Sequence, residues 1–210
     1  MKIYAISGLG ADERVFNSLK LDYDFEVLPW KPFSKDDTMH SYSLKMIEGI
    51  DLLKPYGFIG VSFGGMLVSE LSKDQTANFY ILVSSASTPS ELPWWFRLNI
   101  PFYKLPTFIF EVTKTWVRVF FGAKNSQLIK RILKESDPIF IKNAIRLIIN
   151  WQSNLKGKVY RIHGDRDLII PRPHKSIPSV RGGHFVIVDK ATEISRIINL
   201  IIKKVINNNA

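Results

Sequence analysis

One short stretch constrains the fold of this chain more than any other: residues 57–65 read Gly-Phe-Ile-Gly-Val-Ser-Phe-Gly-Gly. An apolar run typical of a buried strand precedes Ser62, and a helical pattern follows it. The pattern G-x-S-x-G at such a junction is typical of a sharp turn that holds the serine in a strained backbone conformation. Strand and helix then pass so closely that a Cβ atom at Gly60 or Gly64 would clash. The stretch therefore predicts a strand, turn and helix with a serine hydroxyl lifted above the end of a sheet.

Predicted strands alternate with predicted helices on both sides of this turn. Short β-rich runs bounded by turn residues predict the other strands, which are Lys2–Ser7, Phe25–Leu28, Phe79–Val83, Lys158–Ile162 and Ile177–Val180. Apolar residues at helical spacing predict a helix from Thr38 to Lys54, ended by Pro55, and a last helix that Asp189 caps. This alternation is typical of α/β proteins, so we predict about six strands, essentially all parallel, flanked by helices.

The alternation stops between residues 90 and 151, where no strand signal occurs. Four prolines divide this stretch into short helical segments, and it contains twelve aromatic residues. We predict an α-helical cap laid over the strand ends. The predicted division of the chain is 1–89 and 152–210 for the core domain and 90–151 for the cap insertion. Most of these rings are expected to pack between helices, but their number suggests that some line an apolar pocket. Trp94, Trp95 and Phe96 are candidates for contact with a substrate.

Composition narrows the classes of function. A chain of 210 residues suits one domain, and the absence of cysteine excludes disulfides, thiolate metal sites and a cysteine nucleophile. The net charge of +10 comes from scattered basic residues without a nucleic-acid motif, so we expect a solvated surface and no nucleic-acid partner. No apolar run is long enough to cross a bilayer, and the N-terminal run resembles a strand more than a signal peptide. We expect a cytoplasmic protein, either a monomer or a homodimer.

A serine nucleophile needs a base that accepts its proton and a third group that orients the base. The chain has four histidines. His184 follows the last predicted strand and two glycines, which let its loop fold back toward Ser62, so it is our candidate for the base. His40 lies at the start of a helix, and His174 lies between prolines. His163 ends a strand, where a structural role is expected.

The loop after the fifth predicted strand offers two carboxylates, Asp165 and Asp167. We choose Asp167 as the orienting acid because it lies further out on the loop and can reach back toward His184. Asp165 is expected to be solvated or to close the loop beside Arg166. The order Ser, Asp, His along the chain differs from the orders of two other groups of serine hydrolases.

An oxyanion that forms during acyl transfer needs two preorganised N–H donors. The residue after the serine, Phe63, starts a helix, whose N-terminal dipole favours negative charge. Leu9 is our candidate for the second donor, because Gly8 and Gly10 let its backbone N–H point inward. If the first strand lies between the second and the third, the loops that carry Leu9 and Ser62 meet where the strand order reverses.

Four motifs, taken in this order, resemble those of the α/β-hydrolase superfamily, in its serine-nucleophile, esterase-like branch with a helical cap. They are Ser7-Gly8-Leu9-Gly10, Gly60-Val61-Ser62-Phe63-Gly64, His163-Gly164-Asp165-Arg166-Asp167 and Gly183-His184-Phe185. The resemblance covers nearly the whole chain, and the family's G-x-x-D acid signature matches Asp167. Two departures are visible. The chain starts on what resembles the family's third strand, and the interval between Asp167 and His184 is shorter than usual, with prolines in place of a helix.

The resemblance implies hydrolysis of an ester or thioester of a small to medium apolar substrate, through an acyl-enzyme on Ser62. It implies no metal and no organic cofactor. The same three groups also serve C–C hydrolases, lyases and acyltransferases, and the sequence does not separate these reactions. A different class also stays open: a binding protein of this fold that holds a small apolar ligand without turning it over.

Overall fold

The computed structural model describes residues 1–74, 76–97, 126–153 and 158–209. Its centre is a six-stranded sheet in the order β2-β1-β3-β4-β5-β6, in which every neighbouring pair is parallel. The strands are β1 (Lys2–Ile6), β2 (Phe25–Val27), β3 (Tyr56–Val61), β4 (Phe79–Val83), β5 (Tyr160–Gly164) and β6 (Ser179–Val180). The predicted number and direction of the strands are therefore confirmed.

The order of the strands reverses beside β1, as the sequence predicted. Strand β1 pairs with β2 on one side and with β3 on the other, and the chain then adds β4, β5 and β6 outward from β3. In parallel α/β sheets, ligands bind outside the carboxyl ends of the strands at such a switch point. The loops after β1 and β3 therefore lie beside the crevice where a site is expected.

Seven α-helices surround the sheet in the described residues. They are α1 (Met39–Met46), α2 (Phe63–Leu71), α3 (Trp94–Arg97), α4 (Ser126–Glu135), α5 (Pro138–Ile149), α6 (Val186–Asp189) and α7 (Ala191–Asn209). Short 3-10 helices cover Glu13–Phe16 and Pro89–Glu91. Among the helices of this described part, none has both the length and the apolar character needed to cross a membrane.

Two apolar clusters lie on opposite faces of the sheet, because side chains alternate along each strand. In β3, Ile59 and Val61 pack on the face covered by α6 and α7. Phe58 of the same strand packs on the other face, against α1, α2 and α5. Strand β3 is buried along its whole length, so packing on both faces fixes the position of its carboxyl end and of Ser62, which follows it.

Helix α1 is much shorter than the sequence predicted. Thr38 caps it, since its hydroxyl accepts a hydrogen bond from the Ser41 N–H at 3.0 Å, but the helix ends at Met46 instead of continuing to residue 54. Gly49 lies just beyond, with φ at 83°, a left-handed conformation that cannot continue a right-handed helix. After residue 46, Ile47 and Ile50 still pack against the core from turns, whereas Leu53 is exposed.

The C-terminal part also differs in detail from the prediction. Asp189 is the last residue of the short helix α6, and α7 begins two residues later, at Ala191. Strand β6 has only two residues, Ser179–Val180, instead of four. Pro178 has no N–H to offer to a ladder and therefore limits the start of the strand.

The predicted cap falls partly outside the described residues, since residues 98–125 are not described. Within residues 90–151, what is described contains α3, α4 and α5 and no strand. This agrees with a helical insertion between β4 and β5, while its boundaries at 90 and 151 stay a prediction.

Candidate active site

Ser62 lies in the tight turn between β3 and α2 and has a strained backbone. Its φ is 53° and its ψ is −119°, a conformation that a residue with a side chain rarely adopts. Its N–H donates to the carbonyl of Val83 at 3.0 Å, and its carbonyl accepts from the Gly65 N–H at 2.9 Å and from the Ser85 hydroxyl at 2.7 Å. These bonds tie the turn to β4 on one side and to α2 on the other, so the surrounding structure holds the strained conformation in place.

The glycines around Ser62 are required by close backbone contact. A Cβ atom at Gly60 would overlap the backbone of Gly64 and Gly65, and one at Gly64 would overlap the carbonyl oxygen of Ser7. The turn therefore presses α2 against both β3 and the end of β1. This explains why the G-x-S-x-G pattern identified the position from the sequence.

Three side chains predicted to act together lie in hydrogen-bond contact. His184 Nε2 is 2.9 Å from the hydroxyl of Ser62, and His184 Nδ1 is 2.8 Å from Oδ2 of Asp167. A carboxylate only accepts, so in the neutral imidazole Nδ1–H donates to Asp167. The lone pair on Nε2 is then directed at the Ser62 hydroxyl. His184 and Asp167 are both buried, which protects this series from bulk water.

Two backbone donors fix the carboxylate of Asp167. Its Oδ1 accepts from the N–H groups of Ile169 and Ile170, both at 2.9 Å, while Oδ2 faces His184. Each oxygen therefore has its own partners, which removes the freedom of the carboxylate to rotate.

The loops that carry the acid and the base are bonded directly to each other. Gly182 N–H donates to Oδ1 of Asp165 at 2.9 Å, and the Arg166 N–H donates to the carbonyl of Gly182 at 2.9 Å. Asp165 thus closes the loop, one of the two roles expected for it. The short, proline-containing interval before His184 does not prevent contact with Asp167.

The predicted oxyanion donors lie on either side of Ser62. Phe63 is the first residue of α2, and a Cβ atom at Gly8 would stand 3.3 Å from Cβ of Ser62, so the loop after β1 runs directly beside the serine. The Ser7 hydroxyl donates to the carbonyl of Ala11 at 2.8 Å and holds this loop in shape. In the part of the chain that is described, neither the Leu9 nor the Phe63 N–H donates a hydrogen bond.

An apolar pocket of about 80 Å³ opens beside Ser62 and His184. The other described residues that line it are Gly8, Leu9, Ala11, Val15, Val61, Ile132, Ile169 and Phe185. Val15 and Ile132 are almost fully buried and close one end, whereas Leu9 and Ile169 are partly exposed at the other. Helix α4 brings Ile132 to this position, and an ion pair of 2.6 Å between Glu135 and Arg14 holds the helix there.

Two of the aromatic candidates for substrate contact, Trp94 and Phe96, do not line this pocket. Trp94 is 61% exposed, and Phe96 borders a separate depression near Pro89 and Trp151. The side chain of Trp95 lies outside the described residues. Apart from Gly8, Ser62, His184 and Phe185, the described lining is aliphatic. This aliphatic lining could not be predicted from the sequence, because helix periodicity does not show which apolar residue faces the site.

Among the described residues, none of the other three histidines forms a hydrogen bond with Ser62. His40 lies between Glu70 and Asp74, with nitrogen to oxygen distances of 3.3 and 3.0 Å, and His174 is exposed beside the Ser176 hydroxyl. His163 is buried in β5. No group of three or more histidine and acidic side chains able to hold a metal ion occurs among the described residues.

Comparison with known proteins identifies the fold and no closer relationship. No protein-family model matches the sequence, and no curated protein sequence matches it. A thermophilic esterase from Thermogutta terrifontis has a similar structure, with a TM-score of 0.72 at 15% identity over 98% of this chain and 90% of that one. A lipase-esterase related protein from Clostridium acetobutylicum gives 0.70 at 18% identity, covering 94% and 92% of the two chains. The enol-lactonase from Burkholderia xenovorans gives 0.72 at 14% identity, covering 94% and 89%.

These identities are low, so the structural matches show the fold alone. The all-parallel sheet, its switch point at β1 and the serine turn between β3 and α2 agree with that result. The chain has the α/β-hydrolase fold.

Proposed function

We propose that this protein is a serine hydrolase that cleaves an ester or thioester of a small apolar substrate through an acyl-enzyme on Ser62. The observation that carries the proposal is the unbroken series of hydrogen bonds from Ser62 through His184 to Asp167. It stands at the mouth of an apolar pocket and on a backbone strained at the serine. Strain at one residue that its surroundings enforce is typical of functional sites.

In the proposed reaction the Ser62 oxygen attacks the carbonyl carbon as its proton passes to Nε2 of His184. Asp167 holds the imidazole in the tautomer that can accept this proton and stabilises the imidazolium that forms. His184 then gives the proton to the leaving alcohol or thiol. A water molecule, deprotonated by the same nitrogen, hydrolyses the acyl-enzyme and regenerates Ser62.

The tetrahedral intermediate in this scheme carries its negative charge beside two backbone N–H groups, those of Leu9 and Phe63. The donor at Phe63 also starts α2, so the helix dipole adds to the stabilisation. Removing one such donor in other hydrolases lowers kcat by about 10²–10³. Here both donors belong to the backbone, so they persist in every side-chain variant.

The lining of the pocket supports a small apolar acyl or alcohol group. Apart from His184 and Ser62, its described side chains are all apolar, and none of them carries a charge. The cavity of about 80 Å³ is roughly half the size of an engineered apolar cavity of about 150 Å³ that binds benzene. A substrate group of about two to four carbons is therefore expected.

Labelling with a fluorophosphonate and hydrolysis of p-nitrophenyl acetate and butyrate test the proposal. We expect Ser62→Ala and His184→Ala to lose both signals, while Ser18→Ala and His174→Ala retain them, since Ser18 and His174 are exposed. Labelling that survives Ser62→Ala, or folded wild-type protein that neither reacts nor hydrolyses any ester or thioester, would refute it.

A binding protein without turnover is the alternative of another class. It requires an apolar pocket but no base in contact with the serine, so the complete hydrogen-bond series favours hydrolysis. The number of product molecules released per protein chain distinguishes a hydrolase from a binding protein. A hydrolase releases many equivalents per protein chain, whereas a binding protein releases at most one. A panel of esters, thioesters and β-diketones with added acyl acceptors separates the hydrolase from the other reactions that use the same groups.

A further inference from the structure

His163 is a fully buried titratable side chain that the proposed mechanism does not use. It lies near the carboxyl end of β5 and has no exposed surface. Its Nε2 is 4.0 Å from Oδ2 of Asp167, which is too long for a hydrogen bond. The ring therefore stands directly beside the acid of the site without competing for the oxygen that faces His184.

The one hydrogen bond that the His163 ring makes in the described structure goes to the acid loop. Its Nε2 is 3.0 Å from the carbonyl oxygen of Ile170, and since a carbonyl only accepts, Nε2–H is the donor. Nδ1 is buried without a partner among the described residues. The ring is thus a neutral imidazole of one tautomer. Burial lowers the pKa of His163 to about 4, helped by Arg161 and His184 and opposed by Asp167 and by the bond to Ile170.

Ile170 is the point where His163 and Asp167 meet. Its N–H donates to Oδ1 of Asp167 at 2.9 Å, and its carbonyl accepts from His163. Both polar groups of this residue are therefore used to hold the acid loop. If the bond to His163 is lost, a buried carbonyl is left unsatisfied and the turn that supplies two donors to Asp167 is no longer anchored.

We propose that His163 is a positioning residue that anchors the acid loop through the Ile170 carbonyl and so keeps Oδ2 of Asp167 directed at His184. This inference rests on the proposed function of the site for its kinetic consequences, but the geometry that it asserts is measurable without turnover. His163 acts through Ile170 and Asp167 and does not touch the reacting atoms.

A pair of variants of similar shape tests the bond itself. Glutamine places an amide N–H near the position of Nε2, whereas methionine has a similar length and no donor. We expect His163→Met to lower kcat about 10–100-fold and to leave KM unchanged, as is typical when a hydrogen-bond partner that orients a residue of the site is lost. His163→Gln should recover most of this loss.

Nitrogen-15 NMR of the imidazole rings in the wild-type protein gives a second test that needs no variant and no substrate. We expect His163 to be protonated on Nε2 at pH 7 and to stay neutral at pH 5, with His184 protonated on Nδ1 at pH 7. A proton on Nδ1 of His163 would overturn the proposal even if the protein is an active hydrolase. So would a folded His163→Met with wild-type kcat, or a folded His163→Gln as impaired as His163→Met. Failure of the hydrolase proposal alone would leave the NMR result intact.

Discussion

Acidification from pH 7.5 to pH 5.0 should destabilise this protein through His163. In the unfolded chain a histidine has a pKa near 6.5, whereas burial lowers that of His163 to about 4. The folded state binds the proton more weakly, so protonation favours unfolding. The contribution of neutral His163 to stability is complete above the unfolded pKa and is lost as the pH falls from 6.5 toward 4.

The size of the effect follows from the two pKa values. At pH 5.0 the ring would be about 97% protonated in the unfolded chain and about 10% protonated in the folded one. The free energy of unfolding should therefore fall by about 2 kcal/mol between pH 7.5 and pH 5.0. For a chain of this size, that corresponds to a decrease in Tm of about 4–8 °C.

Thermal unfolding followed by circular dichroism at the two pH values measures this effect, with His163→Gln as the matched control. The glutamine does not titrate, and every other ionisable group is common to both proteins. We expect the wild-type Tm to fall by about 4–8 °C more than that of the variant. If both proteins lose the same amount, His163 does not titrate as its burial requires, and the reasoning is wrong.

Three further predictions concern the site. Gly64→Ala should lower the free energy of unfolding by about 3 kcal/mol in urea titrations, because the added Cβ overlaps the Ser7 carbonyl. The control Gly49→Ala should lower it by only about 1–2 kcal/mol, because a Cβ at Gly49 meets open space and only the positive φ is unfavourable. Equal losses in the two variants would contradict the close packing at Gly64. Ile132→Ala should lengthen the preferred acyl chain by about three carbons, the number removed, in a p-nitrophenyl ester series, and an unchanged optimum would show that Ile132 does not end the pocket. Asp167→Asn should lower kcat about 10³–10⁴-fold in ester hydrolysis without loss of Tm, and near-normal kcat would exclude it as the orienting acid.

The positions that could be predicted from the sequence are those that local chemistry dictates. Close backbone contact requires glycine at positions 60 and 64, so their spacing indicates the turn and its serine. The two glycines before His184 and the position of Asp167 on its loop are equally informative. Both point to the same edge of a parallel sheet, where the three side chains are found within hydrogen-bond distance.

The features that were missed depend on contacts between segments distant in the chain. Ile132 looks like any apolar residue of an amphipathic helix, and only the packing of α4 over the loop after β1 turns it toward Ser62. The Ser85 hydroxyl, in the loop after β4, donates to the carbonyl of Ser62, and no sequence motif indicates this contact. His163 was expected to be structural, and only the folded arrangement of β5 and the acid loop shows that its donor is directed at Ile170.

Trapping of the acyl-enzyme tests the central claim most directly. The protein is mixed with a short-chain p-nitrophenyl ester, quenched in acid during turnover, digested and studied by mass spectrometry. We expect the peptide that contains Ser62 to be heavier by the mass of the acyl group. The same peptide from His184→Ala, treated in the same way, should not carry this added mass. Ester turnover with no acyl group on Ser62, or with the acyl group on another residue, would contradict the proposed mechanism.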